Sequence, residues 1–141
     1  MNRVLFVLTL MAVNLESGLA QQTTDLRKAK AVIVAFYDED RLTSESGGRG
    51  ALDSFKFFLK PIQEIAKRDF SYAEFRILPR GTLLRLPDGT GFNVQNVQPL
   101  LGFVLVASGR KRRILSGVQS DQDFACAAAA YFRRSSPACS K

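Results

Sequence analysis

Apolar and polar positions follow a few distinct rhythms along the chain. Ala31-Val32-Ile33-Val34-Ala35-Phe36-Tyr37 is an unbroken apolar run rich in β-branched residues. Such a run predicts a strand buried on both faces. Leu100 to Val106 is a second run of the same kind. Between them, Leu52, Phe55, Leu59, Ile62 and Ile65 recur at three- and four-residue steps, which predicts one apolar face of a helix from Ala51 to Lys67. Pro61 falls inside that helix and predicts a kink in the turn before it, because its ring crowds the carbonyl of Phe57. Ser71 to Leu78 alternates and predicts another strand. Thr82 to Leu86, set between the turn signals Pro79-Arg80-Gly81 and Pro87-Asp88-Gly89, predicts a short edge strand. Phe92 to Gln98 fits a short helix or a turn. Ala107-Ser108-Gly109-Arg110 predicts a tight turn, with Lys111 to Leu115 pairing back as a hairpin. Ser120-Asp121-Gln122-Asp123 predicts a helix start, and the helix runs to Phe132. Gln21 to Lys30 is polar, a leader or a short helix. Asp38 to Gly50, acidic and then Ser/Gly-rich, predicts a flexible loop. The order β-α-β, loop, hairpin, helix predicts an α/β fold: a mixed sheet with helices on both faces.

Ahead of these elements lies a different pattern. Arg3 precedes the apolar run Val4 to Val13, and Gly18-Leu19-Ala20 places small residues where a signal peptidase cuts. The expectation is a cleaved signal peptide over residues 1–20, a domain over 21–134 and a tail over 135–141. The apolar run is too short to cross a bilayer as a helix. No later stretch is long enough, so the expected location is secreted or periplasmic. The chain has 141 residues, a formal net charge of +7 and no histidine. Without histidine there is no Ser-His-Asp triad, no Cys-His dyad and no His-bearing zinc site. We expect no catalytic residues, no metal and no cofactor. Residues 21–70 carry nine basic and eight acidic side chains, and residues 71–141 carry ten and four. A polyanion would therefore meet the second half.

Several of these segments resemble the thioredoxin-like superfamily. Val32 to Tyr37 looks like the strand that leads to that family's active site. Leu59-Lys60-Pro61-Ile62-Gln63-Glu64-Ile65-Ala66 looks like its proline-kinked first helix. Phe92 to Pro99 resembles the segment that ends in its cis-proline, which makes Pro99 a cis-proline candidate. Gly109 and Gly117 resemble the hairpin glycine and the glycine after the last strand. Redox-active members carry Cys-x-x-Cys at the start of the kinked helix. Counted back from Pro61, those positions are Asp53 and Lys56, and neither exchanges a disulfide. Lys67-Arg68-Asp69-Phe70 and Gly102-Phe103-Val104-Leu105-Val106 look like the peroxiredoxin-like DUDES domain, found in exported bacterial and extracellular matrix proteins. The resemblance implies a fold and a location, and no reaction.

Four groups of residues carry candidate chemistry. Cys126 and Cys139 are the only thiols. They form a structural disulfide that ties down the tail, stay as free thiols, or exchange electrons. The reach of six residues, Arg134 to Cys139, back along the helix permits the staple. Arg110, Lys111, Arg112 and Arg113, together with Arg133, Arg134 and Lys141, form a candidate polyanion-binding surface, or else a solvated hairpin tip. Asp38-Glu39-Asp40 follows the first strand, where α/β sites form, but lacks calcium-loop spacing. Asp53 and Ser54 are expected to cap the long helix. Of Phe55, Phe57 and Phe58, one is a candidate contact for a partner. Three functions remain open: a binding or accessory module for an unidentified protein partner, a thiol-disulfide redox protein using Cys126 and Cys139, and a polyanion binder.

Overall fold

The computed structural model describes residues 22–78 and 82–140. The expected signal peptide, the Pro79-Arg80-Gly81 turn and Lys141 lie outside the described residues. The elements run β1 (Gln22–Asp25), β2 (Ala31–Tyr37), α1 (Glu39–Ser44), α2 (Gly48–Asp69), β3 (Ala73–Leu78), β4 (Thr82–Arg85), β5 (Gly91–Phe92), β6 (Leu101–Ala107), β7 (Arg113–Ser116) and α3 (Asp121–Phe132). Short 3-10 turns occupy Val94–Asn96 and Pro137–Cys139. The class is α/β, with two mixed sheets and three α-helices among the described residues.

The main sheet has the order β3-β2-β6-β7. β2 lies parallel to β3 and antiparallel to β6, and β6 is antiparallel to β7. The two apolar runs are thus adjacent central strands, as continuous hydrophobicity demands. Side chains alternate across the sheet. Ala31, Ile33, Ala35, Phe103 and Leu105 face one way, against α2 and α3. Val32, Val34, Phe36, Val104 and Val106 face the other.

That second face departs from expectation. Among the described residues no α-helix covers it. A small sheet of order β1-β4-β5 does, with Leu84, Leu86 and Phe92 packed on the valines. Gln22 to Asp25, expected as leader or helix, is a strand parallel to β4. Its polar sequence lacks a strand signal because the strand lies mostly in solvent and gains its order from backbone pairing. β4, expected at an edge, is the centre of this sheet. Phe92 to Gln98 divides into the end of β5 and a 3-10 turn.

The loop expected over 38–50 is also structured. Asp38 caps α1 by accepting from the Arg41 N–H at 3.2 Å, and Leu42 is buried. α2 starts at Gly48, with Gly47 as its N-cap, and passes through Pro61. Asp53 and Ser54 therefore do not cap it; both are exposed one turn inside. The early start has a steric reason. A Cβ on Gly48 would lie 1.8 Å from the Leu42 carbonyl oxygen, so only glycine lets α2 begin against α1. Gly102 serves the sheet likewise, since a Cβ there would meet the Leu115 carbonyl at 2.2 Å.

Candidate functional site

Three places hold the residues singled out by chemistry: the end of β2, the α3–tail junction and the basic hairpin. At the end of β2, the Asp38 N–H donates to the Leu100 carbonyl at 2.8 Å. That contact draws the Pro99 segment beside the start of α1. The Gln98–Pro99 peptide is cis. Lys56 sits 3.4 Å from Glu39 Oε1 and 5.4 Å from the centre of the Tyr37 ring. Asp53, Lys56 and the acidic run place no thiol at this end of β2. Among the described residues no three His, Cys, Asp or Glu side chains gather closely enough to hold a metal. Of the three helix phenylalanines, Phe55 is buried, Phe58 is half-buried and Phe57 is 74% exposed.

Cys126 and Cys139 are joined in a disulfide, with Cα atoms 4.7 Å apart. The bond lies between α3 and the Pro137–Cys139 turn. It closes a strap that begins beyond Arg133, the left-handed C-cap of α3. The strap is anchored at both ends. The Ser136 hydroxyl donates to the Asp69 carboxylate at the end of α2, and the Gln122 side-chain amide donates to the Ser140 carbonyl at 2.9 Å. Asp69 is enclosed, with 2% of its side chain exposed. The Arg68 guanidinium 2.6 Å away holds its carboxyl below the usual carboxylate range, and the Ser136 hydroxyl pushes the same way.

The basic hairpin lies at the opposite end of the sheet from Asp38. β6 ends there, β7 starts there and α3 finishes there. Arg110 donates to the Tyr131 carbonyl in the last turn of α3 and lies 5.7 Å from the centre of the Tyr131 ring. The Tyr131 hydroxyl in turn accepts from the Ala107 N–H at 3.1 Å. Burial pushes both Tyr131 and Tyr72 above the usual tyrosine range. Arg134 lies 5.1 Å from the centre of the Tyr72 ring, so α3 delivers a further cation to the same end. Arg112 reaches across to the β4–β5 turn. Its guanidinium is 6.0 Å from the Phe92 ring centre and 3.5 Å from Thr90 Oγ1. Lys111 and Arg113 are exposed.

Between these two turns lies a cleft of about 500 Å³. One wall is Pro87, Asp88 and Thr90; the other is Arg110, Lys111 and Arg112. Arg113, the first residue of β7, does not line it. Asp88 Oδ1 accepts from the Thr90 N–H at 3.0 Å and from its hydroxyl at 2.6 Å, which fixes the first wall. The hairpin cations are visible in sequence as a run. The facing wall is not, because it is contributed from another sheet. The only available signal was Pro87-Asp88-Gly89, which specifies a turn without saying what it turns toward. No helix among the described residues is long and apolar enough to cross a membrane. Compared with known proteins, the chain matches no family model, no curated sequence and no solved structure.

Proposed function

We propose that this chain is an exported, thioredoxin-like binding module that engages a partner without exchanging thiols. The observation that carries this reading is the position of the sulfurs. Both cysteines are joined across α3 and its tail. The end of β2 presents Asp38, Tyr37 and Lys56 instead. The thioredoxin-like part of the reading is supported by strand order. β2 and β3 are parallel and joined through α2, and an antiparallel β6–β7 hairpin leads into α3. Export is supported by the leader-like residues 1–20 and by the disulfide, which persists in oxidising compartments.

The test has two arms. Intact mass of the exported protein should show a chain beginning at Gln21 with both thiols blocked. In an insulin-reduction assay with dithiothreitol, the protein should leave the rate unchanged. Its disulfide should stay closed in buffers poised near thioredoxin's potential of about −270 mV. A faster insulin reaction that disappears in Cys126→Ser would overturn the reading in favour of a redox protein.

A further inference from the structure

We infer that the cleft between the Pro87–Thr90 turn and the Gly109–Arg112 turn binds a short segment of sulfated polysaccharide. The inference gives a ligand class to the binding module proposed above and rests on that reading.

The first argument is positive charge that no described carboxylate neutralises by an ion pair. Arg27, Arg41, Lys56, Arg68 and Arg76 each pair with a carboxylate. None of Arg110, Lys111, Arg112 or Arg113 shares an ion pair with a described residue. Arg110 and Arg112 are instead held by neutral groups: a carbonyl, a hydroxyl and two aromatic rings. Neutral partners leave the full positive charge available. They also fix the guanidinium groups in advance, which lowers the entropy lost on binding. Guanidinium is weakly hydrated and forks onto the oxygens of tetrahedral anions.

The second argument is the facing wall. Asp88 Oδ1 is engaged by Thr90, while Oδ2 takes no hydrogen bond from a described residue. A carboxylate among three cations opposes a ligand that is purely anionic. It suits one that alternates anionic groups with hydroxyl donors, as a sulfated sugar chain does. The volume, about 500 Å³, suits a few sugar units lying in a groove.

The third argument separates this ligand from other polyanions. Single-stranded nucleic acids bind on exposed rings that stack with bases. The rings beneath this cleft, Phe92 and Tyr131, are 2% and 9% exposed and covered by the arginines. Among the described residues, none of the exposed large apolar side chains lines the cleft, which leaves it without the apolar anchor that a lipid surface takes.

The experiment titrates the full chain with a heparin-derived hexasaccharide at about 50 and 200 mM salt. Lys111→Ala and Arg113→Ala remove the same charge from neighbouring exposed positions, but only Lys111 lines the cleft. Lys111→Ala should weaken binding roughly fivefold and lower the salt slope by about one, with Arg113→Ala changing affinity less than about twofold. Asp88→Asn keeps an acceptor for the Thr90 amide and should weaken binding. Circular dichroism melts establish that each variant is folded, and Lys111→Gln replaces Lys111→Ala if the latter is not. Equal losses from Lys111→Ala and Arg113→Ala would reduce the effect to diffuse charge and overturn the cleft. Tighter binding by Asp88→Asn would overturn the glycan. So would no binding at low salt, or stronger binding to a single-stranded oligonucleotide or to phosphatidylserine vesicles. Any of these results with an inert disulfide overturns the ligand and leaves the thiol-free reading standing.

Discussion

The elements that start where β2 ends carry Asp38, Glu39, Asp40, Asp121 and Asp123, and the segments where it begins carry Lys28, Lys30, Lys67, Arg68, Arg110 and Arg134. The sheet register sets this separation, because α2 and α3 both start at the first end and finish at the second. At the acidic end the charges have structural employment. Asp38 caps α1, with Glu39 and Asp40 in its first turn, and Asp121 and Asp123 occupy the first turn of α3. Carboxylates there complement exposed N–H groups and helix dipoles. At the basic end the same logic accounts for Lys67, Arg68 and, through the Tyr131 carbonyl, Arg110. It does not reach Lys111, Arg112 or Arg113, which lie on a hairpin and at no helix end. The difference teaches how to separate scaffold charge from site charge. What remains after every helix terminus is served is the candidate for ligand binding.

The tail strap spans both ends, so breaking it should give the largest effect. The Cys126–Cys139 bond closes a loop of sequence separation 13. Replacing both cysteines by serine should lower stability by about 3 kcal/mol, read as a shift in the urea midpoint. A smaller loss is expected at the acidic end from Gly48→Ala, whose new Cβ would overlap the Leu42 carbonyl. About 2 kcal/mol is expected, through displacement of α1. A value near zero would mean that α1 is not held against α2.

The third prediction tests the sorting of cations directly. Arg110→Ala removes the donor on the Tyr131 carbonyl and the stacking on its ring, and should lower stability by about 1–2 kcal/mol. Lys111→Ala should change it by less than about 0.5 kcal/mol. If the two variants melted alike, Arg110 would not be a helix-end cation, and the distinction between the ends would fail.

The sequence pattern was informative where burial is continuous and where one residue does a local job. β2 and β6 are apolar throughout because both faces are covered. Ser120 announces α3 by accepting from the Asp123 N–H at 3.0 Å. The reach of six residues permitted the disulfide, one of three states open to the pair, and the bond is formed. The pattern could not say what covers the second face, because Val32, Val34 and Phe36 report burial without naming the cover. α1 has one buried apolar residue, Leu42, too few to show a period. Half of the cleft was hidden for a similar reason. Arg112 meets Thr90 across 22 residues of chain, through a contact that no local spacing encodes.

The smallest effect concerns the anchor of the strap at the basic end. Asp69, like Asp88, is an acidic residue at that end, and its charge binds inward to Arg68 and Ser136. Its carboxyl titrates below the ordinary value in the folded chain. The stability that it contributes is therefore fully present above the unfolded value of about 3.9. It is lost as pH falls through the lower folded value. Arg68 is 60% exposed, so water and salt screen much of the pair. Asp69→Asn, which keeps an acceptor for Ser136, should lower stability by less than about 1 kcal/mol at pH 7. In urea titrations the gap between the two proteins should narrow as the pH falls below about 4. A gap that stayed constant would mean that Asp69 acts through its hydrogen-bonding shape alone. Its charge would then add nothing to the anchor.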